Sequence, residues 1–545
     1  RRWHGSLAGP GRTRASRLWV LVPGAVALGY LGLLIDRLGL LVSWENANSD
    51  VASAYVLADA VAHGHTGTVV MSNQAAWAPL WYGVATHGLP FHRVLWEISP
   101  ALLALAAALL IGWTVARVGD AARGALAVLI IVAASPSALI IFTAAAYHNT
   151  TVPGVALLGG FLVWAISRRP AAWALATAVG LLSLLVGVFV ASDPLLAAQG
   201  LIPLAAAVLL LRKRLDGRVV GASLALLVGS VTVAVITSQV MQGLNFTANT
   251  PGLGFTSRFI PTHIKWLVQG LLRLGNGLSV APHGPARTPL VLASGVVVVA
   301  ALGAVAASGL LAALRTGLVP ARRVARLAGR RSADRDEPGR DVHVVFWVGS
   351  LLVAAVAYVI TTVASRADTE RYFLVAVPAV AAIVPLLPQK KISWLATSVG
   401  ATVFAAASIV SLAANDAGRA VFQGPDIPQA RAIEAVVRSQ NLTVGYAGYW
   451  DAASLDWVTR QRLTVYPLTD KFGPLEPMYQ NRVNAWYRPR PNTASYLILA
   501  PDDNNLADRL PPGLPAPRRQ FKLGAVTLAV FPVDIARYLH PPHRP

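Results

Sequence analysis

Two carboxylates open the stretch Trp44-Glu45-Asn46-Ala47-Asn48-Ser49-Asp50, directly after a long apolar run, and a helix-like segment from Val51 to Asp59 follows. A carboxylate at the mouth of a membrane cavity can take the proton from an attacking hydroxyl, or hold a divalent cation. The plainer role is structural: Ser49 can cap the helix and leave Asp50 in its first turn, where negative charge is favoured. Asp59 reads as a solvated face of that helix. Asp193, in Ala191-Ser192-Asp193-Pro194, and His148, in Ala146-Tyr147-His148-Asn149-Thr150-Thr151, stand at the ends of other apolar runs. An Asp-Pro turn and a solvated His explain them without function. An ionisable group that faces a membrane cavity is nevertheless a functional candidate. Cations occupy similar places. Ser365-Arg366-Ala367-Asp368-Thr369-Glu370-Arg371-Tyr372 packs two Arg and two acids into one short loop. Arg258-Phe259-Ile260-Pro261-Thr262-His263-Ile264-Lys265-Trp266 opens an amphipathic helix that reads first as a membrane-surface element anchored by Trp266. His63 and His65, either side of Gly64, are a weak metal signal. The sequons Asn149-Thr150-Thr151 and Asn245-Phe246-Thr247 read as chance.

These residues need a scaffold, and composition names its solvent. The chain has 545 residues, 55% hydrophobic and only 13% charged, against about 25% charged in an ordinary soluble domain. The apolar residues gather in runs of about 20, enough to span a bilayer core. A soluble enzyme is excluded, and so is a disordered or fibrous chain. The net charge of +21 invites a nucleic-acid reading. Most of the basic residues, however, lie in short turns between apolar runs, which makes them a topology signal. Nucleic acid is not expected as a partner. The absence of Cys rules out disulfides, thiolate metal sites and a Cys nucleophile. Only six of 46 basic residues are Lys, and Ala is abundant, a bias that fits a GC-rich bacterial genome.

Apolar runs lie at roughly 18–42, 94–116, 124–146, 152–167, 171–191, 195–211, 219–241, 289–314, 342–364, 372–388 and 392–414, eleven expected spans. The first follows Arg1, Arg2, Arg12, Arg14 and Arg17 and is too long for a signal peptide, so it reads as an uncleaved anchor. With the N-terminus inside, the cytoplasmic turns collect Arg117/Arg123, Arg168/Arg169, Arg212-Lys213-Arg214 with Arg218, the Arg-rich 315–341 loop and Lys390/Lys391. The opposite loops are much poorer in cations, as the positive-inside rule requires. Three segments on the outer side are longer than connection needs: 43–93, 242–288 and the tail from 415 to 545. In the tail Ile427–Ser439 reads as a helix, and Leu442–Ala447, Leu463–Leu468, Tyr496–Ala500 and Ala525–Phe531 read as strands. The tail aromatics (Tyr446, Tyr449, Trp450, Trp457, Tyr479, Trp486, Tyr487) read mainly as core.

The acidic residue just after the first span, with its following helix, resembles the first outer loop of the GT-C glycosyltransferases. The match is to the protein O-mannosyltransferase and aminoarabinose-transferase branch. The patches that carry it are Asn48-Ser49-Asp50, Ala191-Ser192-Asp193-Pro194 and Arg371-Tyr372-Phe373-Leu374. The branch often has acidic-aromatic neighbours after its key carboxylate, and here Tyr55 stands alone. The resemblance implies a mostly α, polytopic helical bundle of about eleven spans over 1–414, with an extracytoplasmic α/β domain over 415–545. It implies a multi-pass enzyme of the bacterial cell (inner) membrane with its tail outside. The enzyme would move a sugar from a polyprenyl-phosphate carrier to an extracytoplasmic glycan, lipid or protein, with inversion. Asp50 would be the catalytic base and Glu45 its local rival. A lipid-phosphate donor needs outer-side cations, so Arg371 with Tyr372 beside it, Arg366, Arg258 and Lys265 become candidate substrate-binding residues, joined by Asp193 and His148 as ionisable groups at outer span ends. No cofactor is required beyond a possible divalent cation. The alternative is a lipid or glycan transporter or flippase. A transporter, however, should carry mid-span charges and broken helices in both halves, whereas here the acids cluster at outer span ends, Asp36 beside Arg37 in the first span excepted.

Overall fold

The computed structural model describes residues 21–33, 49–62, 68–71, 76–88, 92–135, 138–139, 142, 148–248, 254–256, 258–275, 289–315, 338–361, 370–387, 391–414, 427–470, 475–479, 481–500 and 509–540. Among them, seven helices are long and apolar enough to cross a membrane: Ile98–Val118, Thr151–Arg168, Ala172–Ser192, Gly217–Gly243, Leu292–Ala312, Gly339–Ile360 and Ser393–Leu412. Four shorter apolar helices, Leu21–Leu33, Ala121–Val132, Ala197–Leu211 and Arg371–Leu386, coincide with the remaining expected runs. The expected eleven crossings therefore rest on seven full-length helices and four short ones.

The short helices have local causes. Asp120 caps Ala121–Val132 by accepting from the Arg123 backbone N–H at 3.0 Å. That helix stops ahead of Pro136, which cannot donate to a continuing helix. Ser135 then caps a fresh turn by accepting from Ala138 N at 3.1 Å. The hairpin it forms with His92–Val118 is tight, since a Cβ on Gly124 would lie 2.5 Å from the Gly112 carbonyl oxygen. Large apolar side chains such as Trp173, Leu181, Leu184, Val228 and Val235 remain exposed on the Ala172–Ser192 and Gly217–Gly243 pair. An outward apolar face of that size fits a lipid solvent.

The two ends of the bundle differ. At the basic end, Arg214 pairs with Asp341 at 3.1 Å, Arg340 donates to the Leu386 carbonyl at 2.7 Å, and Arg123 lies 5.7 Å from the Trp394 ring centre. At the other end lie, among the described residues, nine strands: β1 (Val69–Met71), β2 (Phe246–Ala248), β3 (Gly445–Gly448), β4 (Val465–Thr469), β5 (Glu476–Pro477), β6 (Arg482–Val483), β7 (Ser495–Leu499), β8 (Arg519–Leu523) and β9 (Val526–Phe531). Six form a mixed sheet in the order β5-β4-β3-β7-β9-β8, in which β3 runs parallel to β4 and β7. The helices Ile427–Ser439 and Tyr449–Val458 belong to this C-terminal region. The other three strands form a small sheet, β2-β1-β6, with β1 parallel to β2 and antiparallel to β6. One strand comes from each of the three long segments singled out in the sequence, so all three meet at one end of the molecule. Their core is shared: Leu57, Met71, Tyr82 and Phe246 pack in one cluster with Tyr446, Trp457 and Trp486.

Candidate active site

The site is built outward from the end of the Ala172–Ser192 helix. Pro194 cannot continue it, so Asp193 takes an extended backbone (φ −142) while its N–H still donates to Phe189 O. The side chain is 1% exposed. It accepts from His148 Nδ1 at 2.9 Å, from the Thr151 hydroxyl, and from the Leu195 backbone N–H at 3.1 Å. Burial alone would raise the Asp193 pKa. The His148 charge and the hydrogen bonds from His148, Thr151 and Leu195 outweigh it and hold the carboxyl below the usual range. Thr151 opens the Thr151–Arg168 helix, and His148 reaches the acid from a left-handed backbone (φ 54). A non-glycine residue holds that conformation only when its surroundings fix it.

The His148 ring lies 5.2 Å from the Tyr372 ring, and the Arg371 guanidinium lies over the other side chain of that pair, 5.3 Å from the Tyr372 centroid. Both residues belong to the 3₁₀ turn Glu370–Phe373, whose Phe373 is buried edge-on against Tyr358. The Tyr372 carbonyl accepts from the Gln199 side-chain amide. Gln199 sits in a π-helical segment, Ala197–Leu201, and such bulges recur at functional sites. The structure therefore brings together, from three segments far apart in sequence, the Asp193 carboxylate, the His148 imidazole and the adjacent Arg371–Tyr372 guanidinium and phenol. Guanidinium beside phenol suits a phosphate oxygen.

The first loop docks against this turn. The Trp77 backbone N–H donates to the Ser192 hydroxyl, and its ring lies edge-on to Phe189 at 5.1 Å and stacks on Trp81 at 5.9 Å. Asp50 lies in the first turn of the Ser49–Ala62 helix. Asp59, on the same helix, is not the solvated residue expected from sequence. It is half-buried and accepts from the Tyr82 hydroxyl and the Gln461 amide. Tertiary partners from distant segments override the local pattern there.

Arg258 and Lys265 are exposed, Arg258 over the Phe259 ring at 5.7 Å. Arg258 lies just before the helix Ile260–Leu274 that carries Lys265, and the buried side of that helix is held by His263, whose Nδ1 meets the Val359 carbonyl at 2.9 Å. Ile264 and Val268 stay exposed, as expected of an interfacial helix. Glu45, His63, His65 and Arg366 lie outside the described residues. Among the described residues no group of three His, Cys, Asp or Glu is gathered to hold a metal ion.

Beyond Phe373 the chain continues as the Ala376–Ile383 helix, which lines an apolar cavity of about 370 Å³ with Leu271, Leu274, Val298, Val384 and Phe404. Sequence reasoning passed over Thr151, Ser192, Trp77 and Gln199. Of these only Gln199 carried a signal, as a lone amide within an apolar run.

No family model matches the sequence, and no curated protein matches it. Solved structures do. The crystal structure of ArnT from Cupriavidus metallidurans in the apo state matches with a TM-score of 0.51 at 12% identity, covering 95% of this chain and 100% of that one. The structure of the same protein bound to undecaprenyl phosphate matches with a TM-score of 0.50 at 12% identity, covering 94% and 98%. At that identity the likeness is one of fold, and along nearly its whole length this chain shares the membrane fold of ArnT.

Proposed function

We propose that the protein is a membrane glycosyltransferase of the GT-C type that moves a sugar from a polyprenyl-phosphate carrier to an acceptor hydroxyl. The observation that carries this reading is a polar cluster and an apolar cavity served by consecutive parts of one chain segment. Arg371 and Tyr372 stand beside the His148–Asp193 pair, and the helix that follows them lines the apolar cavity. A ligand matched to both has an anionic head and a long hydrocarbon tail. The fold likeness to a structure bound to undecaprenyl phosphate supports the same class of ligand.

In this reading Asp50 takes the proton from the acceptor hydroxyl, with Glu45 as its local rival. The acceptor oxygen attacks the anomeric carbon, the bond from that carbon to the phosphate oxygen breaks, and the polyprenyl phosphate leaves with its charge held by Arg371. A single displacement inverts the anomeric centre. The acceptor is a glycan, lipid or protein of the bacterial cell envelope. The sheet end, including an α/β domain over 415–545, faces out of the cytoplasmic membrane. The test is transfer from a panel of polyprenyl-phosphate-linked sugars by purified protein in lipid nanodiscs. Asp50→Asn should fold and lose transfer by ~10²–10⁴-fold. Lipid movement across vesicles without transfer, retained by Asp50→Asn, would replace the reading with that of a transporter.

A further inference from the structure

We infer that Gln461 is a positioning residue, which orients the Ser49–Ala62 helix, and with it Asp50, through the contact of its side-chain amide with Asp59. The inference deepens the proposed function and rests on its reading of Asp50. It gives the C-terminal region a part in the transfer itself.

Gln461 is delivered by an unusual turn. After the Tyr449–Val458 helix, Arg460 and Gln461 both take left-handed backbones, φ 55 and φ 58. One such residue, most often glycine, suffices to stop a helix. Two in succession, both with a Cβ, persist only where the surroundings hold them. The turn is well held: Gln461 N donates to Asp456 O at 2.6 Å and Arg460 N to Trp457 O at 3.0 Å. Next to it, Arg462 Nε pairs with Glu434 at 3.1 Å.

The backbone so fixed aims the Gln461 amide at Oδ2 of Asp59, while the Tyr82 hydroxyl donates to Oδ1. The two carboxylate oxygens are thus gripped by different segments, the C-terminal region and the Trp77–Gly88 helix. One turn earlier on the same face, Tyr55 lies edge-on to Trp457 at 5.0 Å and to Tyr82 at 5.2 Å. An isolated helix of 14 residues is marginal on its own, so these partners decide how it sits. Asp50 lies nine residues before Asp59, about 13 Å along a helix axis. A helix moves as a rod over that length, so a tilt at Asp59 reaches Asp50.

The experiment uses the full-length protein. Gln461→Glu sets a second carboxylate against Asp59. Adding Asp59→Asn restores a donor-acceptor pair with the roles exchanged, and the amide oxygen it introduces can still accept from Tyr82. Gln461→Glu should lower kcat for transfer by roughly 10–100-fold through misplacement, with KM for the donor lipid nearly unchanged. Amide hydrogen exchange over 52–62 should quicken, while exchange in β3 and β7 stays as it was. The double variant should recover both rate and protection, which general unfolding would not do. Unchanged exchange over 52–62 in Gln461→Glu, or no recovery in the double variant, overturns the inference. Faster exchange with an unaltered transfer rate upholds the contact but overturns the positioning role, and transfer by Asp50→Asn reports separately on whether Asp50 takes part in the chemistry.

Discussion

Removing the Asp193 carboxylate tests whether this turn is a built site or a solvated Asp-Pro corner. Asp193→Ala deletes one acceptor that serves His148 Nδ1, the Thr151 hydroxyl and the Leu195 N–H. With Asp193 1% exposed, water is poorly placed to replace it. Three hydrogen bonds to a buried carboxylate are lost together, and at about 1.5–3 kcal/mol each, combining less than additively, the loss is on the order of 3–5 kcal/mol. Asp193→Asn keeps an oxygen for Leu195 and loses the charge, so roughly half that loss is expected, since hydrogen bonds to charged groups are worth about 1.5–3 kcal/mol. Reversible unfolding in mixed micelles by SDS titration measures both. A loss below about 0.5 kcal/mol for Asp193→Ala, the range of ordinary surface substitutions, would refute the argument. The pH dependence has a definite sign. The folded-state pKa is lowered, so the carboxylate contributes its full stability above the unfolded value near ~3.9 and loses it as pH falls through the folded value. The gap between wild type and Asp193→Asn should therefore persist down to about pH 4 and close only below it. A gap that closes between about pH 6 and about pH 5 would mean that burial had won over the hydrogen bonds.

Arg371→Ala should weaken binding of a polyprenyl phosphate about tenfold or more, and Arg371→Lys should recover only part, because Lys lacks the planar fork; isothermal titration in detergent measures both, and unchanged affinity ends the phosphate assignment. A Cβ on Gly187 would lie 2.5 Å from Val233 and 2.8 Å from the Ser230 carbonyl, so Gly187→Leu should force the Ala172–Ser192 and Gly217–Gly243 helices apart and cost ~1–3 kcal/mol or more in the same unfolding assay. A reporter fused after Pro545 should be active only outside the cytoplasm, and cytoplasmic activity would invert the proposed orientation.

The spans were legible because apolar runs are long and local. Ile427–Ser439 emerged where its periodicity put it, and the expected strands overlap β3, β4, β7 and β9. β8 was not foreseen: it is an edge strand whose Arg519 and Lys522 face solvent, so it carries no apolar alternation. Nor were β1, β2 and β6, which are too short to show a period and are defined by partners far along the chain. The site followed the same division. Asp193, His148, Arg371 and Tyr372 each stood out at the end of an apolar run. That His148 meets both Asp193 and Tyr372 is a product of helix packing, which a single sequence does not encode locally. Asp59 was misread because its partner Gln461 lies 402 residues away, and Thr151 was passed over because a hydroxyl at a helix start has an ordinary explanation.

The small sheet also sets a clock. β1 leaves the ribosome early, yet Val69 pairs with Phe246 on one side and Val483 on the other. At ~5–20 residues per second, the roughly 400 residues between β1 and β6 take about 20–80 s to synthesise. Through that interval the nascent chain holds its first loop and most of its spans, but lacks the last strand that closes the sheet. Contacts so distant in sequence form late. A chain cut short before β6 would sit in the bilayer with Asp50 present and the sheet that ties its loop to the C-terminal region unclosed. On the proposed reading of the site, competence thus arrives with the final segment, and a partly made chain would not consume carrier lipid.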